Sequence, residues 1–284
     1  MNPAASWFKG RKLVIATKHH KEQVIAPLLE KQLGVTCFIP EAFDSDVLGT
    51  FSGEVERTDD PLTTARNKCI LAMEQTQCDL AIASEGSFGP HPTLYFIPSD
   101  DEILLLLDRK HQLEIVAREL STETNFHGTE VTNVDALRNF ATAVKFPSHA
   151  IILKQMKAGG ASMKKGITDW NLLLETFQHM LLSGDPVFAE TDMRALYNPT
   201  RMNVIEKATH NLLEKIASVC PQCQTPGYSV TDRCAGLPCS LCGSPTRSVK
   251  SHLLTCSNCS YRQTIEYPNQ KHTEDPMYCD VCNP

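Results

Sequence analysis

Eight cysteines near the C-terminus carry the clearest chemical signal. They form four Cys-x-x-Cys pairs: Cys220/Cys223, Cys239/Cys242, Cys256/Cys259 and Cys279/Cys282. Each pair presents two thiolates from one tight turn, which is half of a tetrahedral metal site. Four halves make two Cys₄ sites, each suited to one structural Zn²⁺. The intervals between pairs are 15, 13 and 19 residues, the spacing of a zinc ribbon, and each can form a short hairpin. Sequential pairing, first with second and third with fourth, minimises loop closure. A nested pairing, inner with inner and outer with outer, is the alternative. A closed Cys₄ site has no open coordination position, so any reaction belongs to residues 1–219.

There the candidates are carboxylates and cations on loops. Lys18, His19 and Lys21 lie where a first strand passes into a helix, a place where lysines and backbone N–H groups hold phosphate. Glu85, in Ser84-Glu85-Gly86-Ser87-Phe88-Gly89-Pro90-His91-Pro92, can hold Mg²⁺ or activate a water. Asp192 is a second acid, and Arg194 and Arg201 are further phosphate ligands, within Glu190-Thr191-Asp192-Met193-Arg194 and Asn198-Pro199-Thr200-Arg201-Met202. These last two runs also suit a buried ion-pair network without catalysis. His127 reads as a loop residue. No Walker loop, nucleophile elbow, G-x-G-x-x-G or H-E-x-x-H motif is present.

The elements that must position these residues follow from hydrophobic pattern and capping. Lys12–Thr17, Val35–Ile39 and Asp79–Ala83 read as buried strands, separated by helices over Glu22–Leu33 and from Asp60-Pro61 onward. Pro27 is expected to kink the first helix or move its start. This β-α-β-α-β order predicts a mixed, largely parallel sheet flanked by helices. A Gly/Pro-rich loop, an antiparallel hairpin (102–108 with 113–118), a helix over 134–144 and a strand over 150–154 follow. Residues 157–166 read as a glycine/lysine loop, then come helices over 169–182 and from Asn198-Pro199. The last places Met202, Ile205, Ala208, Leu212, Ile216 and Val219 on one face and runs straight into Cys220. The expected architecture is an α/β domain, 1–219, followed by a small two-zinc ribbon domain, 220–284, held against it. Cys37, Cys69 and Cys78 read as core thiols, and Cys234 as a bystander.

Composition narrows the functional classes. The chain has 284 residues, 42% hydrophobic and 21% charged, with a formal net charge of −6; it is long enough for two domains. That charge argues against bulk capture of nucleic acid. In the tail five basic residues meet five acidic ones, and two ZnCys₄ groups would add −4. A protein partner through the ribbon remains compatible. No apolar run is long enough to span a membrane, and the start lacks a secretory apolar region. Cytoplasmic residence is therefore expected, and paired cysteines there favour metal over disulfides.

The runs A-T-x-H-x-K-E near residue 16, A-S-E-G-S-F-G-P-H-P at 83–92, E-T-D-M-R, N-P-T-R-M and the cysteine pairs together resemble a family of uncharacterised, mostly bacterial proteins. Its members carry a domain of unknown function with a zinc-ribbon-like tail, and the resemblance covers nearly the whole chain. Residues 12–86 are also similar to the inosine/xanthosine triphosphatase group of nucleotide hydrolases. That likeness rests on Val14-Ile15-Ala16-Thr17, Lys21, Ala65-Arg66-Asn67-Lys68 and Asp79-Leu80-Ala81-Ile82-Ala83-Ser84-Glu85-Gly86. It implies Lys21 on phosphate, Glu85 on Mg²⁺, and a nucleotide or related phosphorylated small molecule as substrate. The loop Lys18-His19-His20-Lys21 departs from the small-residue–Asn turn of that group.

Overall fold

The computed structural model describes residues 3–41, 43, 59–157 and 160–284. The chain divides into two compact units, Gly10–Leu212, and Met1–Lys9 together with Leu213–Pro284. The second unit opens on a four-residue helix, α1 (Ala5–Phe8).

In the unit Gly10–Leu212 the first sheet has the order β2-β1-β3-β4-β5. Its strands are β1 (Lys12–Ala16), β2 (Thr36–Phe38), β3 (Leu80–Pro90), β4 (Pro98–Asp108) and β5 (Leu113–Ser121). β1 pairs in parallel with β2 and β3; the β3–β4 and β4–β5 pairings are antiparallel. The sheet is therefore mixed and not largely parallel. Parallel pairing needs a crossover of a dozen or more residues, which α2 (Glu22–Leu33) and α3 (Pro61–Thr76) help to supply. Beyond β3 the connections shrink to 91–97 and 109–112, short enough only for hairpins.

Local chemistry explains the helices. Asp60 caps α3, accepting from Leu62 N (3.0 Å) and Thr63 N (3.1 Å), with Pro61 in the first turn. α2 ends at Gly34 in the left-handed region (φ 67°). Pro27 neither breaks α2 nor moves its start; the carbonyl it leaves without an N–H is that of Gln23, in the first turn. α3 packs on the sheet face made by Val14, Ala16, Ala81, Ala83 and Leu105, burying Ala65, Cys69, Ala72 and Met73.

Residues 84–92, expected as a loop, are strand as far as Pro90. β4 pairs with β3 along its whole length, from Leu80↔Asp108 to Pro90↔Pro98, so a long partner overrides the glycines and proline. Residues 157 and 160–166, expected as part of a loop, are likewise strand: β7 (Ile151–Lys157) and β8 (Gly160–Ile167) pair antiparallel. Ala158 and Gly159 lie outside the described residues. These two strands join β6 (Gly128–Val131) and β9 (Val187–Thr191) in a second, wholly antiparallel sheet of order β6-β9-β7-β8. Its core is closed by Leu137 and Phe140 of α4 (Val134–Ala143) and Leu173 and Phe177 of α5 (Trp170–Leu181).

The last helix, α6 (Pro199–Ala217), is capped by Asn198, whose Oδ1 accepts from Arg201 N at 3.0 Å. It buries Ile205, Ala208, Leu212 and Ile216, the face anticipated from spacing. The ribbon is an antiparallel meander of β10 (Ser229–Ala235), β11 (Val249–Thr255) and β12 (Arg262–Glu266). Each interval between cysteine pairs thus supplies one strand, not a hairpin of its own.

Candidate functional site

The cysteines gather into two groups: Cys220, Cys223, Cys256 and Cys259, and Cys239, Cys242, Cys279 and Cys282. The first pair joins the third and the second joins the fourth. This interleaved arrangement is neither the sequential nor the nested pairing. The meander dictates it: three antiparallel strands separate four turns, so successive turns fall at alternate ends of the sheet. All eight thiols are free of disulfides. Sulfur–sulfur distances of 3.7 Å (Cys220–Cys259), 3.6 Å (Cys223–Cys256), 3.8 Å (Cys239–Cys282) and 3.6 Å (Cys242–Cys279) suit a tetrahedron about one ion. A zinc–sulfur bond of about 2.3 Å requires an edge of about 3.8 Å. Both groups can hold a metal ion.

In the unit Gly10–Leu212 a cluster of six ionisable side chains surrounds the middle of the β3–β4 hairpin. Register places Gly86 opposite Glu102 and Phe88 opposite Asp100, so these four share one face of the sheet with Ser84. Glu85 is on the other face, where α3 packs, and pairs with Lys68 of that helix. Arg201, at the start of α6, donates from Nε to Glu102 Oε1 at 2.6 Å and from Nη1 to the Met193 carbonyl. Its guanidinium lies 5.0 Å from the centre of the Phe88 ring. Lys21, in the turn after β1, donates to Ser84 Oγ (2.9 Å) and Ser84 O (3.2 Å).

Burial governs the electrostatics. Lys21, Glu85, Asp100, Glu102 and Arg201 are each less than a tenth exposed. Desolvation lowers the Lys21 amine to about 8, with Arg201 adding to the effect. Burial, and then the neighbouring Glu102, push the Asp100 carboxyl up to about 8. Both Asp100 oxygens and Glu102 Oε2 are buried and have no hydrogen-bond partner among the described residues. Each such orphan acceptor costs about 1–3 kcal/mol, more when charged. A set of acceptor-only atoms beside buried cations can receive a metal ion or a proton, and the cations can receive an anion.

Of the residues singled out from sequence, Lys21, Glu85 and Arg201 meet in this cluster. Lys18 and His19 sit on the turn that leads to Lys21, with His19 and His20 both in the left-handed region (φ 70° and 62°). Asp192 and Arg194 pair with each other. The buried Asp192 carboxylate takes Arg194 N (3.1 Å), Nε (3.0 Å) and Nη2 (2.5 Å), and Gly166 N (3.0 Å). Arg194 also stacks 4.7 Å from the Tyr197 ring. His127 stacks on Phe140.

The family model described as a domain of unknown function, DUF6671, matches residues 68–284. The chain belongs to that family. No curated protein matches it. In this DUF6671 chain the matched span includes all eight paired cysteines together with Lys68, Glu85, Asp100, Glu102, Asp192 and Arg201; Lys18, His19 and Lys21 precede it.

Sequence reasoning missed Lys68, Asp100 and Glu102. The signal was available in the strand alternation: Asp100 and Glu102 lie in phase with Leu104 and Leu106, both wholly buried. Gly86 had a steric signal that only the fold discloses. A Cβ there would collide with Glu102 Oε1 and lie 2.6 Å from Arg201 Nη2. Beside Lys21 and Arg201 in sequence, an open cleft of about 370 Å³ is lined by His20, Gln23, Ala195, Leu196, Pro199, Met202 and Asn203. The two cysteine groups of the DUF6671 tail also differ in their surfaces. The turns of the first carry Pro221, Gln222, Ser257 and Asn258, whereas around the second Leu241, Met277, Tyr278 and Val281 are 59–74% exposed.

Proposed function

We propose that the unit Gly10–Leu212 is a Mg²⁺-dependent phosphohydrolase for nucleotides or related phosphorylated small molecules, and that the tail holds two structural Zn²⁺ ions. The observation that carries the first part is the buried set of Lys21, Lys68 and Arg201 beside acids with orphan oxygens. A phosphate group matches the cations, and a hard divalent ion matches the acids. Magnesium would spread the charge of the phosphate oxygens and lower the barrier to attack. Lys21 would lie on phosphate, held at the middle of β3 by Ser84. Arg201 would hold Glu102 in place and place its positive charge beside the phosphate. Glu85, oriented by Lys68, would take the proton of the attacking water as oxygen bonds to phosphorus and the ester oxygen leaves. The cleft lined by Gln23 and Asn203 would receive the remainder of the ligand. The likeness of residues 12–86 to nucleotide triphosphatases supports Lys21 on phosphate; for Glu85 it implies a place beside the metal.

A panel of nucleotides and sugar phosphates with Mg²⁺ or Mn²⁺ tests this reading. Release of phosphate or pyrophosphate from one member is expected, lost in Glu85→Gln with the fold intact. Silence across the panel with both metals sinks it.

One observation favours a second reading. The exposed Leu241, Met277, Tyr278 and Val281 form an apolar surface at the second cysteine group, suited to a protein partner. It would bring a macromolecule that copurifies with the wild type and is lost from the double variant L241S/V281S, without metal-dependent turnover.

A further inference from the structure

We infer that Asp100 and Glu102 form a binding site for one hard divalent cation of the magnesium class, separate from the cysteine groups; this deepens the hydrolase reading by naming its metal ligands. The two side chains are two residues apart on β4 and therefore share a face. Both are fully buried. Glu102 Oε1 is committed to Arg201 Nε at 2.6 Å, which fixes the carboxylate and leaves Oε2. Asp100 contributes two more oxygens, and none of these three has a hydrogen-bond partner among the described residues. Buried carboxylate oxygens without donors are rare in folded proteins and demand an explanation. A single proton held between the two carboxyls engages at most two of these three oxygens, so it does not account for all of them.

A cation does. The donors are carboxylate oxygens alone, the preference of magnesium and manganese over zinc or copper. Magnesium is usually held through one or two carboxylates, its other positions going to water and phosphate oxygens. The glycine opposite Glu102 fits the same account, because a side chain at Gly86 would occupy the space in which Glu102 and Arg201 meet. Charge then links metal to substrate. With Asp100 ionised by the metal, Glu85, Asp100 and Glu102 balance Lys21, Lys68 and Arg201, three against three. A bound dication leaves the cluster two charges positive, the complement of a phosphate dianion.

The test is a titration of the zinc-replete full-length protein with Mn²⁺, following the free ion by electron paramagnetic resonance. One Mn²⁺ per chain is expected, displaced by Mg²⁺, with affinity at least tenfold weaker in D100N and in E102Q. D101N serves as the control and is expected to bind as wild type, since Asp101 pairs with Arg118. Circular dichroism of each variant establishes that it is folded, and zinc content is measured alongside. No Mn²⁺ bound by folded wild type at millimolar concentration overturns the inference, as does unchanged binding in folded D100N and E102Q. If both variants fail to fold, the wild-type titration and its Mg²⁺ competition decide. The two readings fail separately: bound Mn²⁺ with a silent substrate panel removes the hydrolase and keeps the site. Turnover without Mn²⁺ binding does the reverse.

Discussion

The tail and the β3–β4 cluster both collect charged or charge-bearing groups, but they are assembled on different scales. In the tail every ligand arrives with a partner three residues away, so half of each site forms within a single turn. The cluster draws Lys21, Lys68, Glu85, Asp100, Glu102 and Arg201 from five elements. Its central ion pair, Arg201–Glu102, closes over 99 residues. The comparison teaches that thiolate pairs organise their own surroundings, whereas the buried ion pairs exist only because hairpin, helices and loops are already in place.

Four experiments break or sharpen that contrast. The largest effect is expected from metal removal. Structural zinc contributes about 10–16 kcal/mol per site to folding in small zinc domains. A strong chelator should abolish amide protection across 229–266 while leaving 80–108 protected, read by hydrogen exchange and mass spectrometry. Protection that survives in the tail would remove the thiolates as its organiser. Next, R201M leaves Glu102 buried and unpaired, which costs about 3–5 kcal/mol. The double variant R201M/E102L should recover most of the loss in urea unfolding; no recovery would mean that Arg201 acts through other contacts, such as Met193. Third, G86A should cost about 1–3 kcal/mol by displacing the pair, visible as a lower melting temperature.

The smallest effect concerns His149. Its Nε2 and Nδ1 lie 2.9 Å from Thr200 Oγ1 and Ser148 Oγ respectively. Burial, and then the positive charge of Lys145, lower its pKa below the ordinary histidine value. The unfolded chain therefore binds the proton more readily than the native one. Stability should fall as pH drops through about 6.5, and H149Q should flatten that dependence. An equal slope in wild type and H149Q would assign it to other groups.

What could be read from sequence follows the same division. The cysteine set, the caps at Asp60 and Asn198 and the buried face of α6 are local patterns, and the fold bears them out. Pairing between cysteine turns is a matter of how many strands intervene, and loop-closure arithmetic pointed the wrong way. β6, whose Gly128-Thr129-Glu130 stretch is exposed, offers no alternation, so the second sheet was invisible. Residues 84–90 read as loop because glycine and proline were weighed without the eleven-residue partner strand that holds them extended. Lys21 and Glu85 were singled out by an expected loop position at strand ends, although Glu85 lies within β3. Asp100 and Glu102 were overlooked because two acids beside Asp101 look like a solvated run until register turns them inward.

Interleaving also gives the tail a tolerance to backbone cleavage. With metal bound, a single nick in the segment carrying β10, β11 or β12 would leave both fragments clasped by at least one ion. A protease could open any one connection there without releasing a piece, and separation would wait for loss of metal.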